Sequence, residues 1–241
     1  MAMHVHHAAR TGNAVIQSGF DERLLMSERS SIDAASDAAI YRVCSSFRKE
    51  GKPNGYQQTL ELVDDASREV LASWDQLGPR PLFDAVAIVD AKGRTWRMQP
   101  NRKIMPSRWT VDDPDGRTAV HFDQNILGKL RNPLYRVALR ILDDEEKELY
   151  RLVDPRTNVP DRIFGAGPDD WVLVDGGEPV AKLVRLPRPV QKRSGLAGAL
   201  RALIAGTDPG VVSAGGQHVL AAPIALGMMI LFKYLTDISA G

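Results

Sequence analysis

The sequence is poor in cysteine: Cys44 is the only one among 241 residues. A single cysteine rules out an intramolecular disulfide, and it rules out a zinc site built from several thiolates. Chains without disulfides are typical of reducing compartments, so we expect the protein in the cytosol.

The sequence also lacks a charge excess of either sign, since 31 Lys and Arg stand against 30 Asp and Glu, a formal net charge of +1. Dedicated nucleic-acid binders usually carry strongly basic surfaces, so nucleic acid is not an expected partner. Hydrophobic residues at 44% and charged residues at 25% are ordinary globular values, and 241 residues suit one large β domain.

No continuous apolar run stands near the N-terminus, so a signal peptide is not predicted. Residues 1–20 are rich in small and polar residues, and we expect a flexible segment there. Its three histidines, His4, His6 and His7, are interpreted as part of a frayed terminus and not as a functional metal site. No metal ion and no cofactor is expected.

What the chain does contain is a recurring hairpin pattern. A short run with β-propensity reaches an Asp, a polar or Gly-containing turn follows, and a second such run comes next. Asp side chains bond to nearby backbone groups in turns, and Gly adopts positive φ without steric cost. The pattern predicts five β-hairpins in series, at about 60–71, 86–98, 109–120, 137–150 and 171–183.

Alternation within one segment supports the strand prediction. Between Tyr135 and Ile141 the large apolar side chains occupy odd positions, whereas Arg136 and Arg140 occupy even ones. This period of two predicts one buried and one exposed face. Ten or more such strands need either a sandwich or a closed barrel to cover the apolar face.

The C-terminal part differs, because Val219 to Phe232 contains no polar side chain. As a helix, fourteen residues span roughly 21 Å, which is shorter than the roughly 30 Å hydrocarbon core of a bilayer. We therefore expect a helix at about 218–237 that is surrounded by protein. The alternative is a membrane anchor formed by Pro209 to Tyr234.

Hairpins in series that end in an apolar helix resemble the tubby C-terminal-like superfamily, which includes the phospholipid scramblases and the LURP-one-related proteins. The resemblance covers about residues 22–241. It implies a mainly β fold, a single closed antiparallel barrel of about twelve strands around the buried C-terminal helix, in one domain over residues 21–241. The stretches that carry it are 96–98, 103–109, 115–116, 126–131, 180–185 and 220–237.

The resemblance also implies a function. Tubby proteins bind membrane lipids or phosphoinositides, scramblases transfer lipids between leaflets, and LURP-one-related proteins have no agreed activity. This sequence lacks the cysteine-rich palmitoylation run and the proline-rich N-terminal region of animal scramblases, so it departs from that branch.

Five cations form the predicted lipid-headgroup site: Arg94, Arg97, Arg102, Lys103 and Arg108. They are interleaved with Trp96, Met98 and Trp109, and such a mixture suits lipid phosphates beneath an aromatic interface. The alternative interpretation is that arginine and tryptophan alternate because they mark the outer and inner faces of two strands. A second basic cluster, Arg185, Arg188, Lys192 and Arg193, is interpreted as an exposed connection.

The residues do not predict an enzyme. A thiol nucleophile would need Cys44 beside His121 or His218, and a lone cysteine is more often a packing residue. The acidic run from Asp112 to Asp115 lacks the spacing of a calcium loop and is interpreted as a hairpin turn.

We therefore expect a non-enzymatic cytosolic barrel that binds anionic lipid headgroups at a membrane surface. The alternatives are a tail-anchored membrane protein and a protein-interaction scaffold without a lipid role.

Overall fold

The computed structural model of the chain describes residues 38–49, 56–77, 84–102, 106–124, 137–153, 171–187 and 207–239. Twelve strands in these ranges form one closed antiparallel barrel, in which each strand pairs with its neighbours in sequence and β1 pairs with β12. The strands are β1 Ala39–Lys49, β2 Tyr56–Asp64, β3 Val70–Leu77, β4 Val86–Asp90, β5 Thr95–Pro100, β6 Arg108–Asp112, β7 Thr118–Asp123, β8 Val137–Leu142, β9 Glu148–Val153, β10 Val172–Asp175, β11 Glu178–Pro187 and β12 Thr207–Ser213. The predicted fold class is confirmed.

All five predicted hairpins are present, and their turns lie at one end of the barrel because each joins an even-numbered strand to the next. In the β4–β5 turn, Asp90 Oδ1 accepts hydrogen bonds from the backbone N–H groups of Lys92 and Arg94, both at 2.9 Å. Gly93 in that turn has a φ of 73°. Asp113 and Asp143 accept two backbone N–H groups each in the same manner. The carboxylate therefore sets the turn, as the sequence pattern predicted.

Strand alternation is visible in the burial of the side chains. Trp109 and Val111 are buried on β6, whereas Arg108 and Thr110 are partly exposed. On β8, the buried Leu139 and Ile141 flank the partly exposed Arg140 as predicted, while Tyr135 and Arg136 lie outside the described residues.

The C-terminal helix α1, Ala222–Ser239, is preceded by a 3₁₀ turn at Ala214–Gly216. Residues 225–232 are eight consecutive buried positions, more than two helical turns, so this part of the helix is buried on every side. The helix starts four residues later than predicted, because the chain must first cross from β12 into the barrel. Pro223 lies in the first turn, where its missing N–H costs little.

Side chains from the barrel wall and from α1 form one core. Gly227 allows a close approach of α1 to the wall, since a Cβ there would lie 3.3 Å from both Met98 Sδ and Phe122. Fully buried members include Ile88, Met98, Phe122, Leu139, Leu173, Leu226, Met228 and Ile230.

Among the described residues, no helix combines the length and the apolarity that crossing a bilayer requires. The segment predicted to be flexible, residues 1–20, lies outside the described residues, as does Lys103.

Candidate functional site

The described cations of the predicted headgroup site are spread along β5 and the start of β6. Arg94 lies in the β4–β5 turn, and its guanidinium bonds to Asp90 at 2.8 Å. Arg97 is exposed on β5, and its register partner on β6 is Asp112. Arg102 is exposed just beyond the end of β5. Arg94 is therefore separated from Arg102 by the whole length of β5.

Arg102 and Arg108 are held next to each other by the backbone of the β5–β6 connection. Asn101 N–H donates to the carbonyl of Arg108 at 2.9 Å. The Asn101 side-chain oxygen accepts the N–H groups of Ser107 and Arg108 at 3.3 and 3.4 Å. The two arginines accordingly share one corner of the barrel, where β5 ends and β6 begins, and the β8–β9 turn reaches this corner through Glu146.

Arg108 is already paired with carboxylates of the chain. Its guanidinium lies 2.8 Å from Glu146 and 3.8 Å from Asp123, and Asp123 also pairs with Arg140. The hydrogen bond and the charge of Arg108 lower the pKa of Glu146 below its usual value. The corner is therefore less positive than its arginine content suggests.

The aromatic residues between these cations face the interior. Trp109 is buried, and Trp96 is partly buried with its indole N–H donating to Asp90 at 3.2 Å. Met98 is buried against α1. These positions agree with the alternative interpretation, in which arginine marks the outer face and tryptophan the inner face of the strands. Any interface with lipid would therefore be made by the arginines and would not include these tryptophans.

A second polar group, which the sequence interpretation missed, lies at the hairpin end where the chain enters the barrel. The ring of His218 stacks on the ring of Tyr41, with centroids 3.5 Å apart and an interplanar angle of 6°. His218 Nε2 lies 2.9 Å from Asp64 Oδ2, and the Tyr41 hydroxyl donates to the carbonyl of Leu220 at 3.1 Å. These contacts attach the connection between β12 and α1 to β1 and β2.

Asp64 is the electrostatic centre of this group. Its carboxylate accepts the backbone N–H of Ser67 at 2.7 Å and that of Ala66 at 3.1 Å. The backbone hydrogen bond from Ser67 and then the bond to His218 lower the pKa of Asp64 to about 2. Burial raises the pKa of Tyr41 to about 12, and the charge of Asp64 adds to this effect.

A cleft of about 660 Å³ opens beside the group. The described residues that line it include no Ser, Thr or Cys, so the Asp64–His218 pair has no hydroxyl or thiol nucleophile from this lining to activate. The lining residues are Ala38, Ala39, Ile40, Asp64, Asp65, Ala66, Gly216, Gln217 and His218.

The pairing of Asp64 predicts acid sensitivity. Because the pKa of Asp64 in the folded protein lies below the usual aspartate value of 3.8, the carboxylate stabilises the fold above about pH 4, and this contribution disappears as the pH falls towards 2. After allowance for solvent screening, we expect this carboxylate to contribute about 1–2 kcal/mol to the free energy of unfolding. In urea unfolding at pH 5, the free energy of unfolding of Asp64→Asn should be lower than that of the wild type by this amount. The difference should disappear near pH 2.

The control for that experiment is Asp115→Asn, which changes an exposed carboxylate in another hairpin turn. It should leave the unfolding free energy within about 0.5 kcal/mol of wild type at each pH. If the difference in unfolding free energy between the wild type and Asp64→Asn were constant across the pH range, the charge of Asp64 would not contribute to stability.

The remaining candidate groups do not come together. Burial raises the pKa of the half-buried Cys44, so its thiol is a poor nucleophile. His121 Nδ1 lies 3.1 Å from the hydroxyl of Thr110, and His218 is held by Asp64. Among the residues described, no cluster of three or more metal-ligating side chains occurs. In the second basic cluster, Arg185 is exposed and the other three cations lie outside the described residues.

No family model, curated protein or solved structure matches this chain. The relation to the tubby C-terminal-like superfamily therefore stays a prediction from the order of the elements.

Proposed function

We propose that this chain is a non-enzymatic, tubby-like barrel protein of the cytosol that binds anionic lipid headgroups peripherally, through the outer corner formed by Arg102 and Arg108. The observation that carries the proposal is that the barrel interior is occupied by α1 and apolar side chains. A charged ligand has no place in such a core, because burying an unpaired charge is very costly. Ligands must therefore bind on the exterior.

The exterior corner has features that suit a phosphate. Arg102 is exposed and Arg108 is next to it, while the exposed Arg97 lies further along β5, opposite Asp112. Guanidinium groups present several N–H donors to phosphate oxygens in a planar arrangement. Glu146 and Asp123 weaken the local potential, so we expect weak binding that depends on several contacts.

A second candidate function, a protein-interaction scaffold without a lipid role, is favoured by the same ion pairs. Arg94 and Arg108 are already paired with carboxylates of the chain, and such a surface of alternating charges also suits a protein partner. The two candidates differ in whether any binding depends on lipid.

Flotation of the detergent-free full-length protein with phosphatidylcholine vesicles, with and without about 30% phosphatidylserine, tests the proposal. We expect flotation only with the anionic vesicles, and we expect it to weaken as the salt concentration rises. If the protein never floated, lipid binding would be contradicted and the protein-interaction scaffold would remain as the candidate function. Insolubility without detergent would instead favour the tail-anchored membrane protein.

Matched variants locate the site. Arg102→Gln should lower the vesicle partition coefficient about fivefold, as expected for a cation near an anionic surface. Arg94→Gln is the control, because it removes the same charge at the opposite end of β5. Equal losses for the two variants would show that the net charge of the protein determines binding and that this corner is not the site.

A further inference from the structure

Three of the hairpin turns share one backbone architecture, and the β8–β9 turn, residues 143–147, differs from the other two in a single feature. In each turn an Asp carboxylate accepts the backbone N–H groups two and four positions later. The N–H three positions after the Asp donates to the Asp carbonyl. The residue that carries this N–H is Gly93 in the β4–β5 turn, Gly116 in the β6–β7 turn and Glu146 in the β8–β9 turn.

Glu146 therefore occupies a backbone conformation that favours glycine. Its φ is 64°, close to the values of 73° for Gly93 and 78° for Gly116. A side chain is unfavourable in this left-handed region, because its Cβ comes too close to the following carbonyl oxygen. A glycine would form the same turn without this strain. A strained residue of this kind points to a role of the side chain that lies outside the turn.

The Glu146 side chain contacts Arg108, which is 38 positions away in the sequence. Its Oε1 accepts a hydrogen bond from Arg108 Nη1 at 2.8 Å, and the Glu146 side chain is 64% exposed. Asp123 Oδ1 lies 3.8 Å from Nε of the same guanidinium, but the Asp123 side chain is only 15% exposed. Arg108 thus has one largely buried partner and one partner at the surface.

The surface partner is the one that a ligand can replace. Exposed ion pairs contribute little to stability, so an incoming anion can displace the Glu146 carboxylate at small cost. Phosphate and carboxylate oxygens accept hydrogen bonds from the same guanidinium N–H groups with similar geometry. A phosphate oxygen can therefore take the place of Glu146 Oε1 on Arg108, while Asp123 stays where it is.

We propose that Glu146 is an internal competitor at the corner formed by Arg102 and Arg108. Its carboxylate occupies Arg108 in the free protein, and the phosphate of an anionic lipid headgroup displaces it on binding. This inference rests on the proposed lipid binding and adds the regulation of that site. The affinity for an anionic surface is then set by the competition for Arg108 as well as by the number of arginines.

Removal of the carboxylate tests the proposal, and the neighbouring Glu145 supplies a matched control because it is exposed in the same turn. With vesicles of phosphatidylcholine and about 30% phosphatidylserine, Glu146→Gln should raise the partition coefficient of the full chain about fivefold. Glu145→Gln removes the same charge without releasing Arg108. It should therefore raise the partition coefficient less than about twofold, as expected for a screened exposed charge.

The gain should depend on Arg108. In the Arg108→Gln background, Glu146→Gln should change the partition coefficient less than about twofold, because it then releases no cation. Glu146→Gly should reproduce the gain of Glu146→Gln, since glycine suits the backbone at this position and also lacks the carboxylate. The glycine variant thereby separates loss of the carboxylate from any disturbance of the turn.

The outcomes distinguish this inference from the proposed function. Equal gains for Glu146→Gln and Glu145→Gln, or a gain that persists without Arg108, would indicate a general effect of net charge. Either result would overturn the competition and leave lipid binding intact. If neither the wild type nor Glu146→Gln floated with these vesicles, the proposed function and this inference would both be overturned.

A further arm of the same assay separates lipid phosphate from free phosphate. Inorganic phosphate, added at the concentration of the lipid and at constant ionic strength, should change the flotation of Glu146→Gln less than about twofold, because a vesicle surface offers many headgroups at once. Complete release by inorganic phosphate would identify the free ion as the preferred ligand and overturn the lipid headgroup as its source.

Discussion

Replacing Ile230 by alanine is expected to lower the free energy of unfolding by about 2–5 kcal/mol, the usual cost of truncating a large apolar side chain in a packed core. Ile230 is 0% exposed and belongs to the core that joins α1 to the barrel wall. Alanine is the better helix former, so any loss must come from packing. For a chain of this size, the expected decrease in Tm is roughly 5–15 °C.

Val89→Ala is the matched control. Val89 is 36% exposed on β4, so truncation leaves no internal cavity, and we expect a change within about 0.5 kcal/mol. Thermal and urea unfolding without detergent measure both variants. If Ile230→Ala were as stable as Val89→Ala, α1 would not be packed inside the barrel, and the tail-anchor alternative would gain support.

Replacing Arg42 by glutamine is expected to cost about 3–5 kcal/mol, because this change removes the cation from a buried ion pair. The Arg42 side chain is 6% exposed and lies 2.8 Å from Asp65 and 3.7 Å from Asp208, itself 8% exposed. Glutamine keeps a hydrogen-bond donor and loses the charge. Asp208 then remains buried without the charge of Arg42.

Arg68 supplies an unusually close control, because it bonds to the same Asp65 oxygen at 2.9 Å while its side chain is 53% exposed. Exposed ion pairs contribute little, so Arg68→Gln should change the unfolding free energy by less than about 1 kcal/mol. Urea unfolding at neutral pH measures both variants. Equal effects would mean that burial of the Arg42 pair does not determine its contribution.

The predicted headgroup cations show how sequence and structure contributed to the site. The sequence identified Arg94, Arg97, Arg102, Lys103 and Arg108 as one cluster because they are close in number. In the barrel, a strand separates neighbours in sequence by its full length, so Arg94 and Arg102 lie at opposite ends. Arg108 instead meets Glu146, thirty-eight positions away, which no local pattern indicates.

The group around Asp64 could not have been predicted. His218 and Asp64 are 154 positions apart, and they meet only because β1 pairs with both β2 and β12 and so closes the barrel. Histidine and aspartate are common residues with no spacing that signals such a contact. The one available signal was that His218 immediately precedes the apolar segment, at the point where the chain enters the interior.

The sequence by itself determined the five hairpins, the alternation of strand faces and the presence of an apolar helix near the C-terminus. These features depend on interactions between residues that are close in the chain: Asp side chains with turn amides, periods of two, and one uninterrupted apolar run. Only the tertiary structure decided which charges are paired, that Arg42 is buried and that Arg108 contacts the β8–β9 turn. Those outcomes depend on the register and closure of twelve strands, which bring distant side chains within bonding distance.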